Sequence, residues 1–412
     1  MVNPFTSRLY INTWLKHFKS KNAEKMFKTF NNLSFYKSGS FPLYTNVGKN
    51  LTKGVDYKID YSEQDYKGKA FLIYDVPEYF NVQPIDATLN SLKLKQVFQY
   101  KGFALDLTDF PNPDDYIASR ISAKNRRGYK SRLKRLEQCF DIRYEFLFGE
   151  VEEAYFNALF KQFHELLSKR FSGKGVNYHH LEEQKWNFYT ELVYKMLQEK
   201  QASLFTIYSD NKPIGITLNF HSEDIAFVTI TVFDPDYFKF NVGKASIVKL
   251  LEWCYEQNIR IMDFSKGEFD FKYEWCNLVY DFNYHIVYDS KSPMAALTAN
   301  LVEKFFRFKL YLREKNVNNL YRQTLHKLKG GKPAETFVKN YDMSFIEDFE
   351  VTEAYSAINL DDEAHHFLKA FVYSFLFANP EPLKDLEIYK STTEKTYIIK
   401  GIKKTQRISF TS

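Results

Sequence analysis

IMDFSKGEFDFKYEWC, residues 261–276, places Asp263, Lys266, Glu268, Asp270 and Lys272 close together, just past an apolar, strand-like run. Charges gathered at a strand end are either a solvated loop or the rim of a site, and the flanking sequence has to separate the two. Upstream, ASLFTIY (202–208), PIGITLNFHS (213–222) and IAFVTITVFD (225–234) read as strands, the first two forming a hairpin across the turn SDNK (209–212). FNVGKASIVKLLEWCYEQN (240–258) reads as a turn opening into a helix, and DFNYHIVYD (281–289) as a further strand. From 202 to 289 the order is strand, strand, strand, helix, strand, charged loop, strand.

Further out the chain changes character. Residues 5–31 read as short amphipathic helices, with Phe5, Leu9, Trp14, Leu15 and Phe18 near helical spacing. Gly39, Pro42, Gly48 and Gly54 punctuate a loop-rich stretch, followed by the strands AFLIYDVP (70–77) and LKQVFQYKGFALDL (94–107). Pro111 and Pro113 open a helix that carries Arg120, Lys124, Arg126, Arg127, Lys130, Arg132, Lys134 and Arg135, with no acid among residues 120–135. DIRYEFLFG (141–149) is a strand, and helices at 151–170 and 182–200 are joined by FSGKGVNYHH. A long basic helix at 293–329 ends at Gly330, Gly331 and Pro333.

At 412 residues, 44% hydrophobic and 18% aromatic, the chain can bury a large core and is too long for one typical domain. Its net charge of +6 is mild for this length. Cys139, Cys254 and Cys276 stand at irregular spacing without a CxxC, which points to free thiols in a reducing compartment and to no metal. The N-terminal stretch lacks a continuous apolar segment, and HFLKAFVYSFLFA (366–378) is interrupted by Lys369 and short for a bilayer span. The expectation is a cytoplasmic protein, with contact to the inner membrane face through Lys304, Arg307, Lys309 and Arg313 as one option and core packing of that helix as the other.

The run from the hairpin through Gly243 to Asp263, Phe264, Gly267, Glu268, Phe271, Lys272 and Trp275 resembles the GNAT acyltransferase superfamily. It is most similar to the bacterial branch associated with cellulose and exopolysaccharide biosynthesis, related to the Fem aminoacyltransferases. The basic helix and the opening NPFTSRLYINTWLKHF share the resemblance, which covers roughly 5–315 and does not reach the tail. It implies an α+β fold with a mixed sheet splayed at its middle and flanked by helices, in a tandem, double GNAT-like arrangement. The expected divisions are a degenerate GNAT-like half at 1–105, a catalytic domain at 106–290, a basic helix and linker at 291–331, and a small α+β tail at 332–412.

The resemblance also implies acyl-CoA, acetyl-CoA above all, as co-substrate. Its pyrophosphate would meet backbone donors at Val242, Gly243, Lys244, Ala245 and Ser246, where a helix N-terminus favours anions. Phe240 stands where the superfamily has Gln or Arg. The alternative is a plain turn and helix start. Acyl transfer needs a base, for which Glu268, Asp263 and Asp270 are candidates. Lys266 and Lys272 are placed to hold such carboxylates ionised or bind an anion, and Tyr273 or Tyr280 to protonate the departing thiolate; a surface pair of Glu268 with Lys272 is the plainer reading. Arg126, Arg127, Lys130, His179 and His180 are candidates for an anionic acceptor, against a solvated helix and two solvated histidines. The acceptor implied is an amine or hydroxyl of a sugar or polysaccharide precursor, with no sequence-specific nucleic acid. The rival functions are an aminoacyl-tRNA-dependent transferase of Fem type and a non-catalytic GNAT-fold scaffold.

Overall fold

The computed structural model describes residues 3–20, 23–83, 85–86, 90–172, 178–315, 341–347 and 349–410. The first half runs α1 (Arg8–Phe18), β1 (Glu24–Met26), β2 (Phe30–Asn31), β3 (Ser34–Lys37), β4 (Leu43–Asn46), β5 (Lys58–Ile59), β6 (Ala70–Pro77) and β7 (Leu92–Asp106). Then come α2 (Pro113–Arg120), α3 (Ala123–Cys139), β8 (Ile142–Leu147), α4 (Glu153–Ser172), α5 (Glu183–Gln198), β9 (Ala202–Ser209), β10 (Lys212–His221) and β11 (Ile225–Phe233). The second half closes with α6 (Val242–Glu256), β12 (Ile261–Lys266), α7 (Asp270–Trp275) and β13 (Leu278–Asp289). After α8 (Pro293–Glu314) the tail holds β14 (Tyr341–Ile346), β15 (Tyr355–Ala357), α9 (Lys369–Ala378), β16 (Glu387–Ser391), β17 (Thr396–Lys400) and β18 (Thr405–Phe410).

Eleven strands form one sheet in the order β1-β3-β4-β6-β13-β7-β12-β11-β10-β9-β8. β7 belongs to the first half by sequence but pairs with β12 of the second, and β13 of the second half pairs with β6 of the first. β7 and β13 pair with each other from Leu278↔Ala104 to Asp289↔Leu92. The two halves thus exchange their last strands, and the fold is the tandem, mixed-sheet α+β arrangement expected. Each half has one parallel pairing in this sheet, β4 with β6 and β11 with β12, and each lasts three positions before the strands part. Shortly beyond each, a residue takes left-handed backbone, Asp75 at φ 60° and Ser265 at φ 55°, where the register to the exchanged strand also slips. A bulge of this kind kinks the strand and re-aims its side chains.

Helices are laid on this sheet by their apolar faces. Ser7 caps α1 by accepting from the Tyr10 N–H, and α1 buries Tyr10, Ile11, Trp14 and Leu15. α5 buries Phe188, Tyr189, Leu192, Val193, Met196 and Leu197, a spacing that keeps one stripe inward. Full burial of such a side chain is worth about 1.5–3 kcal/mol. The tail packs on the second half, where Val372, Tyr373, Phe375 and Leu376 of α9 share a core with Phe140, Tyr237 and Phe240.

Four expectations are corrected. Residues 24–26 and 30–31 are strands rather than helix, because β3 and β5 supply partners that a local reading does not see. Within the loop-rich stretch, 43–46 is strand β4, paired on both sides. The basic helix is two helices, broken at Ile121, with Ser122 capping α3 through the Asn125 N–H. Residues 270–275 form a short helix rather than a loop. The helix expected over 293–329 ends at Glu314, and the remainder, from 316 through Gly330, Gly331 and Pro333, lies outside the described residues. On α8, Arg307 pairs with Glu303 at 3.0 Å and the Arg313 guanidinium lies 5.8 Å from the ring centre of Phe98.

The central strand pair tolerates no side chain at Gly102, because an added Cβ would stand 2.2 Å from the Tyr280 ring. Gly102→Ala is expected to lower unfolding free energy by about 1–3 kcal/mol in urea titration, the usual cost of overpacking. An unchanged midpoint would contradict the tight register of β7 on β13.

Candidate active site

The charged stretch behind β12 divides into a buried part and an exposed part. Asp263 is fully buried and its carboxylate accepts from Tyr280 Oη at 2.7 and 2.8 Å, from Tyr79 Oη at 2.8 Å and from the Ser265 N–H at 2.5 Å. Tyr280 comes from β13 and Tyr79 from the turn after β6, so both halves hold this carboxyl. Burial raises its pKa above the ordinary carboxylate range, and the tyrosine and backbone donors pull it partly back. Lys272, on the first turn of α7, is also buried, and its ammonium donates to the carbonyls of Phe264 (2.8 Å), Ser265 (3.1 Å) and Lys266 (2.8 Å). It ties α7 to the bulge in β12 and thereby fixes the loop between them. Burial depresses its pKa to about 8, against the attraction of Asp263.

The surface pair of Glu268 with Lys272 does not form. Glu268 is exposed and accepts from Tyr273 Oη at 2.7 Å, while Lys272 points inward. Tyr273 is half exposed, and its bond to Glu268 raises its pKa. Asp270 is exposed at the first position of α7. Tyr280, with Asp263 beside it in the interior, has a pKa well above the ordinary tyrosine value, chiefly through burial. Protonated and committed to Asp263, it is a positioning group rather than the acid expected for a thiolate.

The start of α6 differs from an open phosphate loop. The face of Gly243 on which a side chain would stand is covered by the Phe233 ring, 2.8 Å from an added Cβ. The glycine therefore makes room for Phe233, which the Arg170 guanidinium covers at 3.7 Å from the ring centre. Phe240 and Val242 are core residues. The N–H groups of Lys244 and Ala245 both bond the Asn241 carbonyl, and Ser246 Oγ donates to the Val242 carbonyl. Lys244 Nζ donates to Glu274 at 2.9 Å and to the Tyr129 hydroxyl. Burial works against its charge, but these two bonds raise its pKa.

The cations of α3 meet this same place. A cavity of about 370 Å³ between α2, α3 and α6 is lined by Arg126, Lys130 and Arg132 together with Asn241, Lys244 and Ala245. Residues expected for two ligands, the phosphate loop and the basic helix, thus share one cavity. Arg127 is exposed and does not line it, and Arg135 is spent on the tail, bonding the Phe377 carbonyl. Next to this cavity Tyr129 stacks on Trp275 of α7 at 5.9 Å between ring centres, which connects it to the β12–α7 loop. Beyond Phe227 the edge of β11 has no pairing with β12, and Thr231 there is exposed. Asp114 and Glu252 line the cavity as well, and Lys130 stands 3.6 Å from Asp114.

His179 is exposed and His180 buried, and both feel the charge of Lys53. Sequence reading missed Lys53, Asp75 and Tyr79. Asp75 is fully buried and accepts from Thr52 Oγ1 (2.7 Å), Gln99 Nε2 (2.8 Å) and the Tyr100 hydroxyl. No local motif marks these positions. The one signal available was a charge inside the apolar run AFLIYDVP. Among the described residues there is no group of three or more His, Cys, Asp or Glu placed to hold a metal ion, and no helix long and apolar enough to cross a membrane.

Lys272 yields a pH test. Its folded pKa, about 8, lies below the unfolded value of 10.5, so between the two the unfolded chain binds more protons and stability rises with pH. The penalty is complete below pH 8 and disappears toward pH 10.5. In urea unfolding at several pH values, wild type is therefore expected to gain on Lys272→Met across that window. A flat difference would show that Lys272 is not a buried cation.

Residues 123–273 match the family described as Acetyltransferase (GNAT) domain. No curated protein matches the chain. Among solved structures, a conserved protein of unknown function from Bacteroides thetaiotaomicron is similar at 11% identity and TM-score 0.44, over 69% of this chain and 91% of that one. L-PGS from Bacillus licheniformis is similar at 12% and 0.42, over 73% and 97%. FemX is similar at 12% and 0.45, over 65% and 86%. Scores under 0.5 settle no activity for this chain. The family match is confined to residues 123–273 and supports a GNAT-type domain there.

Proposed function

We propose that the protein transfers an acyl group, acetyl being the simplest, from acyl-CoA to an amine or hydroxyl of a sugar- or polysaccharide-related acceptor. The observation that carries the donor half is the cavity in which Arg126, Lys130 and Arg132 stand beside the start of α6. Phosphates held there by charge-assisted bonds would leave the thioester free to lie along the unpaired edge of β11. A backbone N–H on that edge would polarise its carbonyl and stabilise the oxyanion of attack. The acceptor nucleophile then bonds to the acyl carbon, the carbon–sulfur bond breaks, and the acceptor's proton passes to Glu268. The departing thiolate takes a proton from Tyr273 or water. Asp263 and Lys272 act through others: they fix the bulge and the loop that carry Glu268.

A second reading, a GNAT-fold protein that binds without turning over, draws on the Phe233 ring over Gly243. An aminoacyl-tRNA donor is the third, since its phosphates would suit the same cations.

Calorimetric titration with acetyl-CoA separates them. Wild type should bind, and Arg126→Ala with Arg132→Ala should weaken binding at least about tenfold, the scale of one lost charge-assisted bond. Glu268→Gln should bind like wild type and, with an acceptor present, turn over about 10²–10⁴-fold more slowly. Absence of binding to wild type at millimolar acetyl-CoA would overturn the acyl-CoA reading. Unchanged turnover in Glu268→Gln would remove that residue as the base.

A further inference from the structure

Lys53 is a buried lysine, 8% exposed, and makes no hydrogen bond or ion pair with another described residue. Its place is fixed from both sides. Thr52 Oγ1 holds Asp75 at 2.7 Å, and the Gly54 carbonyl accepts from Asn3 Nδ2 at 3.0 Å. The titratable groups within its electrostatic reach are Lys266 and Lys272, both repulsive, and Asp75 and Asp263, both attractive. His179 and His180 feel it in turn.

The charges in this cluster do not balance. Asp75 is committed to Thr52, Gln99 and Tyr100, and Asp263 to Tyr79, Tyr280 and the Ser265 N–H. Lys272 is committed to three carbonyls. Lys266 has only long contacts, 3.4 Å to the Asn50 carbonyl and 3.5 Å to Tyr100 Oη. Three lysines thus face two carboxylates that are already engaged by other donors. His180 adds a buried Nδ1 with no partner among the described residues. Burying an amine without a hydrogen-bond or charge partner is costly, and a ligand anion would relieve that cost.

We propose that Lys53, with Lys266 and His180, forms an anion subsite between the two halves that takes a carboxylate or phosphate group. That this group belongs to the acceptor rests on the acyl-transfer reading. The subsite lies beside Asp263 and the β12 bulge, where an anchored acceptor would present its nucleophile to the edge of β11. Burial lowers the pKa of Lys53 to about 7, and an arriving anion would restore its proton.

The test uses the full chain, with inorganic phosphate, diphosphate and succinate titrated at constant ionic strength while thermal unfolding is followed. The expected result is a saturable rise in Tm with at least one of them, weakened tenfold or more in Lys53→Met. Response to phosphate and diphosphate alone would define a phosphate-bearing ligand, and response to succinate alone a carboxylate-bearing one. Lys266→Gln, an independent variant at a less buried position, should weaken the same response. Equal responses in wild type and Lys53→Met, or a rise that sodium chloride reproduces, would overturn the subsite. Acetyl-CoA affinity should be unchanged in Lys53→Met. Loss of acetyl-CoA binding in wild type with the anion response intact would overturn the donor reading and leave the subsite standing.

Discussion

The exchange of β7 and β13 is the constraint on which the rest of the molecule depends. Each strand leaves its own half to pair beside the other half's bulged strand, so neither half completes its sheet alone. The carboxyl of Asp263 shows what this achieves. Its strand belongs to the second half, one tyrosine donor arrives on the exchanged β13, and the other on the turn after β6. Asp75 is held in the mirror fashion, by Gln99 and Tyr100 of the exchanged β7. Two buried carboxylates flank the midline: Asp263 takes donors from both halves, and Asp75 takes its side-chain donors from Thr52, Gln99 and Tyr100 of the first half.

From that midline the two proposed ligand regions diverge. The cavity with Arg126 and Arg132 lies on the second half, between α3 and α6, and Lys53 lies toward the first, as does the Lys266 ammonium beside Tyr100. An acyl donor and an anionic acceptor approaching from these sides would meet at the parted strands β11 and β12. The division of labour also explains why the loop behind β12 is both charged and ordered. Its inward lysine is a structural tie, and its outward glutamate accepts from Tyr273 at the surface.

Much of this was legible in the sequence. The hairpin, the strand IMDFS, the basic helix and the motif from Gly267 to Trp275 carry strong local patterns, and all lie in the second half. The illegible parts share one cause, which is distance along the chain. Lys53 meets charges more than two hundred residues away, and Tyr79 reaches Asp263 across 184 positions. The short strands at 24–26 and 30–31 have too few residues for a period to show. α7, of six residues, has the same difficulty. The glycine of the expected phosphate loop was found by its spacing, but its neighbour Phe233 comes from a different element, so its packing role could not be read.

Hydrogen–deuterium exchange of the full chain, with and without saturating acetyl-CoA, tests the central claim most directly. The account predicts slowed exchange at 228–233 on the open edge of β11 and at 123–133 on α3, with the outer strands of the first half unchanged. Protection confined to other regions, or none at all, would contradict a donor site at the parted strands.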